Sequence, residues 1–360
     1  MAGEYRGMRE SYVNNVNFCR KGRDAHGQKF LITESAACFQ ETAAGRIQKY
    51  RRPSAIIGPM CGAFIFAASS LCLQPAFRKR RCGEETLAVP RDESSIMVAC
   101  DTGIGMSRLP LETYVEGALA ASIPADCEEE TLKAQAIILR TLCMRAYENR
   151  QSIDDNTVYA RDIGQEYLDM RSREALWEDS YEEKQAKIAS AAAQTKGMYM
   201  TWEGQIIEPA YFWLSAGKTR NGKEVFGEGY DYLTSVDCSH DIEASGYSST
   251  VTLKEKDFWA AMGVDGSEKI TLTRDSAGYV LWVEAAGIHM SGEKFRSLFS
   301  LQSACFTISE NGGNVTLESK GVGHGLGFCQ FEANRRAVQG EDFLALLHVF
   351  FEGVEIQKTE

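Results

Sequence analysis

The chain has 360 residues, 44% hydrophobic and 10% aromatic, a length and apolar content that suit one large domain or two small ones and exclude a disordered chain. Charge is unevenly divided: residues 1–52 carry ten Lys/Arg against five Asp/Glu (net +5), whereas residues 83–360 carry 25 against 45 (net −20). So acidic a main part argues against nonspecific nucleic-acid binding, which depends on neutralising phosphates.

Residues 1–50 mix Gly, Ser, Asn and Arg without sustained periodicity and read as a weakly ordered tail. A long uncharged window then runs from Pro53 to Phe77, enough to span a bilayer, since about 20 apolar residues suffice. It divides the chain into a basic tail (1–52), a membrane anchor (53–77) and a main domain (83–357). Arg51 and Arg52 precede the window and Arg78, Lys79, Arg80 and Arg81 follow it, so flanking charge alone does not orient it. Pro53, Pro59 and Pro75 weaken the span, and a buried core helix or a late signal sequence is the alternative.

Alternation between Thr86 and Ala99 predicts a strand entering the main domain, and Thr102 to Ser107 a Gly-containing turn. Between Leu109 and Asn149, two packed helices are predicted. In the first, Leu111, Tyr114, Val115 and Ala118 recur at helical spacing until Pro124 stops it. In the second, Asp126 is the predicted N-cap, and Leu132, Ala136, Leu139 and Cys143 form an apolar stripe beside Lys133 and Arg140, two turns apart. Ala, Glu, Lys and Gln predict one helix from Arg173 to Thr195, ended by Gly197. Met198–Trp202 and Gln205–Trp213 read as a hairpin around Glu203-Gly204.

Farther on, a helix is predicted near Lys254–Met262, and strands at Ile270–Arg274 and Tyr279–Ala285. Ser291 caps a helix to Leu298, and Asn311-Gly312-Gly313 turns a hairpin between strands at 306–309 and 314–319. Helices at Gln330–Val338 and Asp342–Phe351 close the chain. Helices mixed with antiparallel hairpins, around a substrate cleft and behind an N-terminal transmembrane helix, make the fold class α+β. Eleven scattered cysteines without a CxxC pair look like small buried residues rather than a disulfide framework.

Three ordered blocks resemble the stage II sporulation protein D (SpoIID/LytB) family. Leu132-Lys133-Ala134-Gln135-Ala136 and Arg140-Thr141 resemble its LKAQAVAARTY run, which follows LEEYVxGVVAAEMP. Ala210 to Thr219 with Tyr232-Leu233-Thr234-Ser235-Val236 resembles its YxSSSGGxT and PYLxSV segments, and Gly321 to Gln330 its GxGHGVGMSQ signature. Ile163-Gly164-Gln165-Glu166-Tyr167 is similar to its SQxY stretch. Two departures stand out: Ser122 where the family has the acidic residue of AAEMP, and Leu142 where it has the Tyr of RTY.

The resemblance implies a membrane-anchored domain held outside the cytoplasm, acting on peptidoglycan glycan strands during endospore formation beside other sporulation cell-wall proteins. Family members are lytic transglycosylases, which need one carboxyl group to protonate the glycosidic oxygen and then act as base. A Ser122 hydroxyl is far too weak an acid for that step. Either the enzyme is impaired or altered, with Asp126 or Glu128, just past the turn, as possible substitutes while Glu112 and Glu116 fall on other turns of the helix, or the chain is an inactive glycan-binding or scaffold member. By resemblance Ser122, Lys133 and Arg140 form the catalytic set, and Tyr211, Ser215, Gly217, Thr219, His324 and Gln330 the substrate-binding set. The Asp-Cys-Ser-His-Asp run offers Cys238 and His240 as a partial zinc pair, two ligands where a structural site wants four, so no cofactor is expected and zinc is the one metal option. A Cys329 nucleophile activated by His324 is the remaining formal option.

Overall fold

The computed structural model describes residues 20–23, 29–32, 96–102, 105–150, 156–264, 266 and 269–359. Within the stretch read as a tail, β1 (Arg20–Arg23) and β2 (Lys29–Ile32) pair as an antiparallel hairpin. The proposed anchor at 53–77 lies outside the described residues; among those described, no helix is long and apolar enough to cross a membrane.

Strand β3 (Met97–Asp101) pairs antiparallel with β4 (Met106–Pro110) and parallel with β5 (Thr157–Tyr159). The predicted turn is tighter than the sequence suggested: the Thr102 amide donates to the Gly105 carbonyl at 3.1 Å, and the strand resumes at once. Strand β4 has no buried residue, so no hydrophobic alternation announced it.

Helix α1 (Leu111–Ser122) ends where Ile123 turns extended before Pro124, because the residue preceding a proline disfavours helical backbone. Helix α2 (Glu129–Glu148) is buried on two flanks. Leu132, Ala136, Leu139 and Cys143 meet α1, while Ala134, Ile137 and Ile138 enter a second core. Asp126 is not its N-cap. The helix begins at Glu129, the Glu128 amide donates to Asn334 Oδ1 at 2.6 Å, and the Asp126 carboxylate pairs with Lys184 at 2.9 Å. A cap supplied from about 200 residues away leaves no local signal.

After the short α3 (Ala160–Ile163), the single helix expected over 173–195 is two: α4 (Met170–Trp177) and α5 (Tyr181–Gln194), separated by a 3-10 turn at Glu178–Ser180. Glu178 takes a positive φ of 45° there. The break has a visible purpose. Arg173 and Gln185 both donate to Glu116 Oε1 at 2.7 Å, whereas in a straight helix residues twelve apart would lie about 18 Å apart along the axis.

Strands β6 (Met198–Trp202) and β7 (Gln205–Ile206) form the predicted hairpin, but its second arm stops early, and β8 (Tyr211–Phe212) leaves it to pair elsewhere. Following α6 (Gly222–Phe226), residues 248–320 build a third core. It comprises β9 (Ser248–Lys254), α7 (Glu255–Met262), β10 (Thr271–Arg274), β11 (Val280–Ala285), β12 (Ile288–Ser291), α8 (Gly292–Phe299), β13 (Phe306–Asn311) and β14 (Asn314–Lys320). Ser291 Oγ accepts from the Lys294 amide as the predicted cap, and Gly312 and Gly313 turn β13 into β14 with φ of 57° and 73°. The chain returns through β15 (Phe328–Cys329), parallel to β8, then α9 (Gln330–Val338), α10 (Phe343–Phe350) and β16 (Glu355–Lys358), which flanks β6. Mixed helices and antiparallel sheets agree with the α+β expectation.

Two contacts fix α1. Tyr167 lies against Gly117, where a Cβ would collide with its ring, and stacks on Tyr114 at 5.8 Å between centroids. Arg140, with no exposed surface, donates through Nε and Nη2 to both Glu112 oxygens at 2.7 Å and through Nη1 to the Met198 carbonyl at 3.1 Å. A guanidinium stranded in the core is costly, since removing one partner of a buried ion pair typically costs about 3–5 kcal/mol. Glu112 keeps some solvent contact, so Glu112→Ala is expected to destabilise the protein by roughly 3 kcal/mol, measured by urea unfolding. A loss under 1 kcal/mol would mean Arg140 does not depend on that pair.

Candidate functional site

The Gly-rich segment 321–327 is shaped by close approach. Gly323 and Gly325 have φ of 116° and 81°; a Cβ on the first would lie 2.6 Å from the Phe212 Cβ, and on the second 2.5 Å from the Tyr279 Cζ. Only glycine meets both conditions cheaply. Arg220 clamps the segment: its amide donates to the Gly325 carbonyl at 2.7 Å and its Nη1 to the His324 carbonyl at 3.1 Å. Its Nε donates to the carboxylate of Asp275, whose side chain has no exposed surface, at 2.6 Å.

His324 is thereby held in one neutral state. Its Nδ1 accepts from the Leu326 amide at 3.1 Å, and the ring also bonds to the Tyr211 backbone. Burial pushes the imidazole down to about 4; Glu293 opposes this, while Arg296 and Arg220 reinforce it. Neither His324 nitrogen is paired with Cys329, whose thiol donates to Asp241 instead.

Pairing of β15 with β8 sets Phe328 opposite Tyr211. The next residue of the chain after β15 is Gln330, whose Nε2 donates to the Ser122 carbonyl at 2.9 Å and to Gln135 Oε1 at 3.2 Å. Ser122 and Gln330 are thus joined by a hydrogen bond, and His324 and Tyr211 by the ring's bond to the Tyr211 backbone. Of these, Ser122, Tyr211 and His324 keep partial exposure, and Gln330 is buried. The Ser122 hydroxyl makes one local contact, to the Leu119 carbonyl at 3.3 Å.

The other residues singled out from the sequence are engaged elsewhere. Arg140 is consumed by Glu112, and Lys133 donates to Glu130 at 2.7 Å with its ammonium 5.9 Å from the Phe343 ring. Ser215 and Thr219 are fully buried: Ser215 Oγ accepts from the Gly217 amide, and Thr219 Oγ1 bonds the Thr234 carbonyl and the Val236 amide. They shape the loop. Cys238 is buried and His240 exposed, and the ligand-grade atoms near the Cys238 thiol belong to Asp241 and Cys329. A cleft of about 690 Å³, lined by Leu142, Arg145, Arg150, Tyr159, Arg161 and Glu208 among others, holds none of the candidate site residues.

Of the carboxylates weighed for the missing acid, Glu128 is exposed and three others have charged partners. Glu112 binds Arg140, Glu116 binds Arg173 and Gln185, and Asp126 binds Lys184. Sequence reasoning passed over Glu166. Its neighbour Gln165 bridges two site tyrosines, accepting from the Tyr211 hydroxyl at Oε1 and from the Tyr114 hydroxyl at its carbonyl. Leu168 donates to the Gly117 carbonyl, so the segment lies along α1. Glu166 is an exposed residue, and partial burial of its carboxyl raises it above the usual range. The available signal was its place within Gly-Gln-Glu-Tyr, beside the residue that contacts Tyr211.

A family model described as SpoIID, stage II sporulation protein, matches residues 103–202. Stage II sporulation protein D of Bacillus subtilis (strain 168) is 31% identical over 285 residues, covering 77% of this chain and 82% of the relative. The protein of the same name from Bacillus amyloliquefaciens is 30% identical over 278 residues, 74% of this chain and 79% of the relative. An amidase enhancer of B. subtilis (strain 168) is 19% identical over 301 residues, 67% of this chain but 40% of that protein.

A pH test follows from His324. Its folded value lies below the ordinary 6.5, so the neutral ring's contribution to stability is fully present above about pH 6.5 and is lost as pH falls toward 4. The stability advantage of wild type over His324→Gln is expected to shrink by roughly 2 kcal/mol between pH 7 and pH 4 in urea unfolding. A pH-independent difference would show that His324 titrates normally.

Proposed function

Because the chain belongs to the stage II sporulation protein D family, we propose that it engages peptidoglycan glycan strands during sporulation, through the partly exposed surface around Ser122, Tyr211 and His324. On this reading residues 53–77 anchor the acidic domain to the membrane, outside the cytoplasm. Ser122 occupies the position of the family's acid. The observation that carries the reading is the engagement of Glu112, Glu116 and Asp126 in ion pairs with Arg140, Arg173 and Lys184, so that using any of them as the acid would mean giving up that pair. Strands are therefore bound and cleaved poorly.

Catalysis by protonation demands a carboxyl group still protonated near neutral pH and within reach of the glycosidic oxygen. Glu166 supports a second reading, in which the acid has moved to the segment packed along α1, because burial raises its carboxyl and Gln165 ties that segment to Tyr211. Lys133 and Arg140 then serve the fold in either case, by holding the helix pair that presents Ser122.

The two readings separate in one assay. Denuded glycan strands are incubated with purified protein and the products analysed for anhydro ends. Wild type is expected to bind strands and release few anhydro ends, and Ser122→Glu to raise cleavage about tenfold or more, given the usual 10²- to 10⁴-fold value of general acid catalysis. Substantial wild-type cleavage that survives Ser122→Ala and disappears in Glu166→Gln would favour the relocated acid. Absence of strand binding would sink both.

A further inference from the structure

Behind Gln330 the fold brings together three groups that the glycan reading does not use. Cys238 leads into the 3-10 turn Ser239–Glu243, which carries Asp241, and Cys329 ends β15. All three residues are buried, at 0% exposure, and their two thiol sulfurs and a carboxylate oxygen lie within 4.8 Å of one another. Cys329 Sγ donates to Asp241 Oδ2 at 3.1 Å, and the Ser215 amide donates to the same oxygen at 2.8 Å. The other carboxylate oxygen, Asp241 Oδ1, is buried and makes no hydrogen bond. Leaving an acceptor dry and unpartnered is costly, and such an atom in a native interior calls for an explanation.

We propose that Cys238, Asp241 and Cys329 bind one divalent metal ion of zinc type in the interior, joining the loop at Ser215–Gly217, the Cys238–Glu243 turn and the start of α9. Two thiolates and a carboxylate are the donor set a borderline ion prefers. Zinc–sulfur bonds of about 2.3 Å place two tetrahedral sulfurs about 3.8 Å apart, so a small contraction of the observed cluster completes the geometry. The fourth position falls to water or to a backbone carbonyl; those of Val236 and Trp213 already lie 3.6 Å from Cys238 Sγ and 3.7 Å from Cys329 Sγ, respectively.

Binding displaces both thiol protons to solvent, together with any proton on Asp241, and leaves the metal with its ligands at net charge −1 instead of three neutral or anionic groups crowded together. No solvent-exposed atom belongs to the set, so the ion enters as the chain folds and acts as a structural clamp. His240, exposed on the same turn, takes no part.

This inference does not depend on glycan binding, and its readouts are separate from it. The full chain is refolded with one equivalent of zinc or cobalt, dialysed, and its metal content and absorption measured. Retention of one metal per chain, a thiolate-to-cobalt charge-transfer band in the near ultraviolet, and a Tm lowered by roughly 5–10 °C on chelation are expected. Cys238→Ala and Cys329→Ala should each abolish the band and the retained metal. Three results would overturn the proposal: wild type that retains no metal, variants that retain as much as wild type, or a Cys238–Cys329 disulfide as the stable state in reducing-agent-free buffer. The cobalt spectrum of wild type alone decides the matter if the variants fail to fold.

Discussion

The guanidinium of Arg220 is the contact on which the arrangement of the site depends. It is 3% exposed, pairs with Asp275, whose side chain has no exposed surface, reaches Glu293 at 3.4 Å and lies 5.1 Å from the Tyr279 ring centroid. Asp275, Tyr279 and Glu293 belong to the 248–320 region, whereas the His324 and Gly325 carbonyls it also holds belong to the loop that presents the site. A planar, permanently charged fork with five donors can serve all of these at once, which a lysine ammonium cannot. Tyr279 completes the joint by accepting from the Ala216 amide at 3.1 Å, while Tyr247 donates to the Ala216 carbonyl at 3.0 Å.

Carboxylates dominate the surface of this domain, yet around α1 each one serves as an anchor. Glu112, Glu116 and Asp126 lie on or just beyond one helix and receive Arg140, Arg173 and Lys184 from three different parts of the chain. The partly exposed Asp126 pair adds little stability, but Arg140 and Arg173 are nearly or wholly buried, and for them the carboxylate is the condition of being buried at all. Recruiting Glu112 or Glu116 as an acid would mean abandoning a core arginine.

Local periodicity made much of the fold legible. The α1 stripe, the Pro124 stop, the Ser291 cap and the Asn311-Gly312-Gly313 turn all depend on neighbours within a few residues, and each stands where the sequence put it. What failed depended on distant partners. Strand β16 exists because β6 needs an edge partner, the break at Glu178 because Arg173 and Gln185 must meet over Glu116, and the start of α2 because Asn334 caps it. The site divides in the same way. Motif resemblance singled out Tyr211, His324, Gln330, Ser215 and Thr219 alike, but whether a motif side chain faces solvent or core is set by packing: Tyr211 and His324 keep partial exposure, and Gln330, Ser215 and Thr219 are buried. Asp241 and Arg220 carry no motif signal of their own, because a buried carboxylate or guanidinium is recognisable only once its partners are in place.

The balance of kept and altered motif residues has a physical order. Arg140, Ser215, Thr219, Gln330 and the close-packed glycines each answer to a structural demand: a buried ion pair, a loop hydrogen bond, a ring that excludes a Cβ. Altering any of them would cost folding free energy whether or not a glycan is ever cleaved. Ser122 is different. Its backbone carbonyl is used by Gln330, but its side chain makes a single contact within its own helix and keeps partial exposure, so any small polar residue satisfies the fold there. The fold therefore leaves the side chain at Ser122 open to change, whereas Arg140 is bound into it by a buried ion pair. Arg140 ties α2 to α1 through Glu112 whatever side chain stands at position 122.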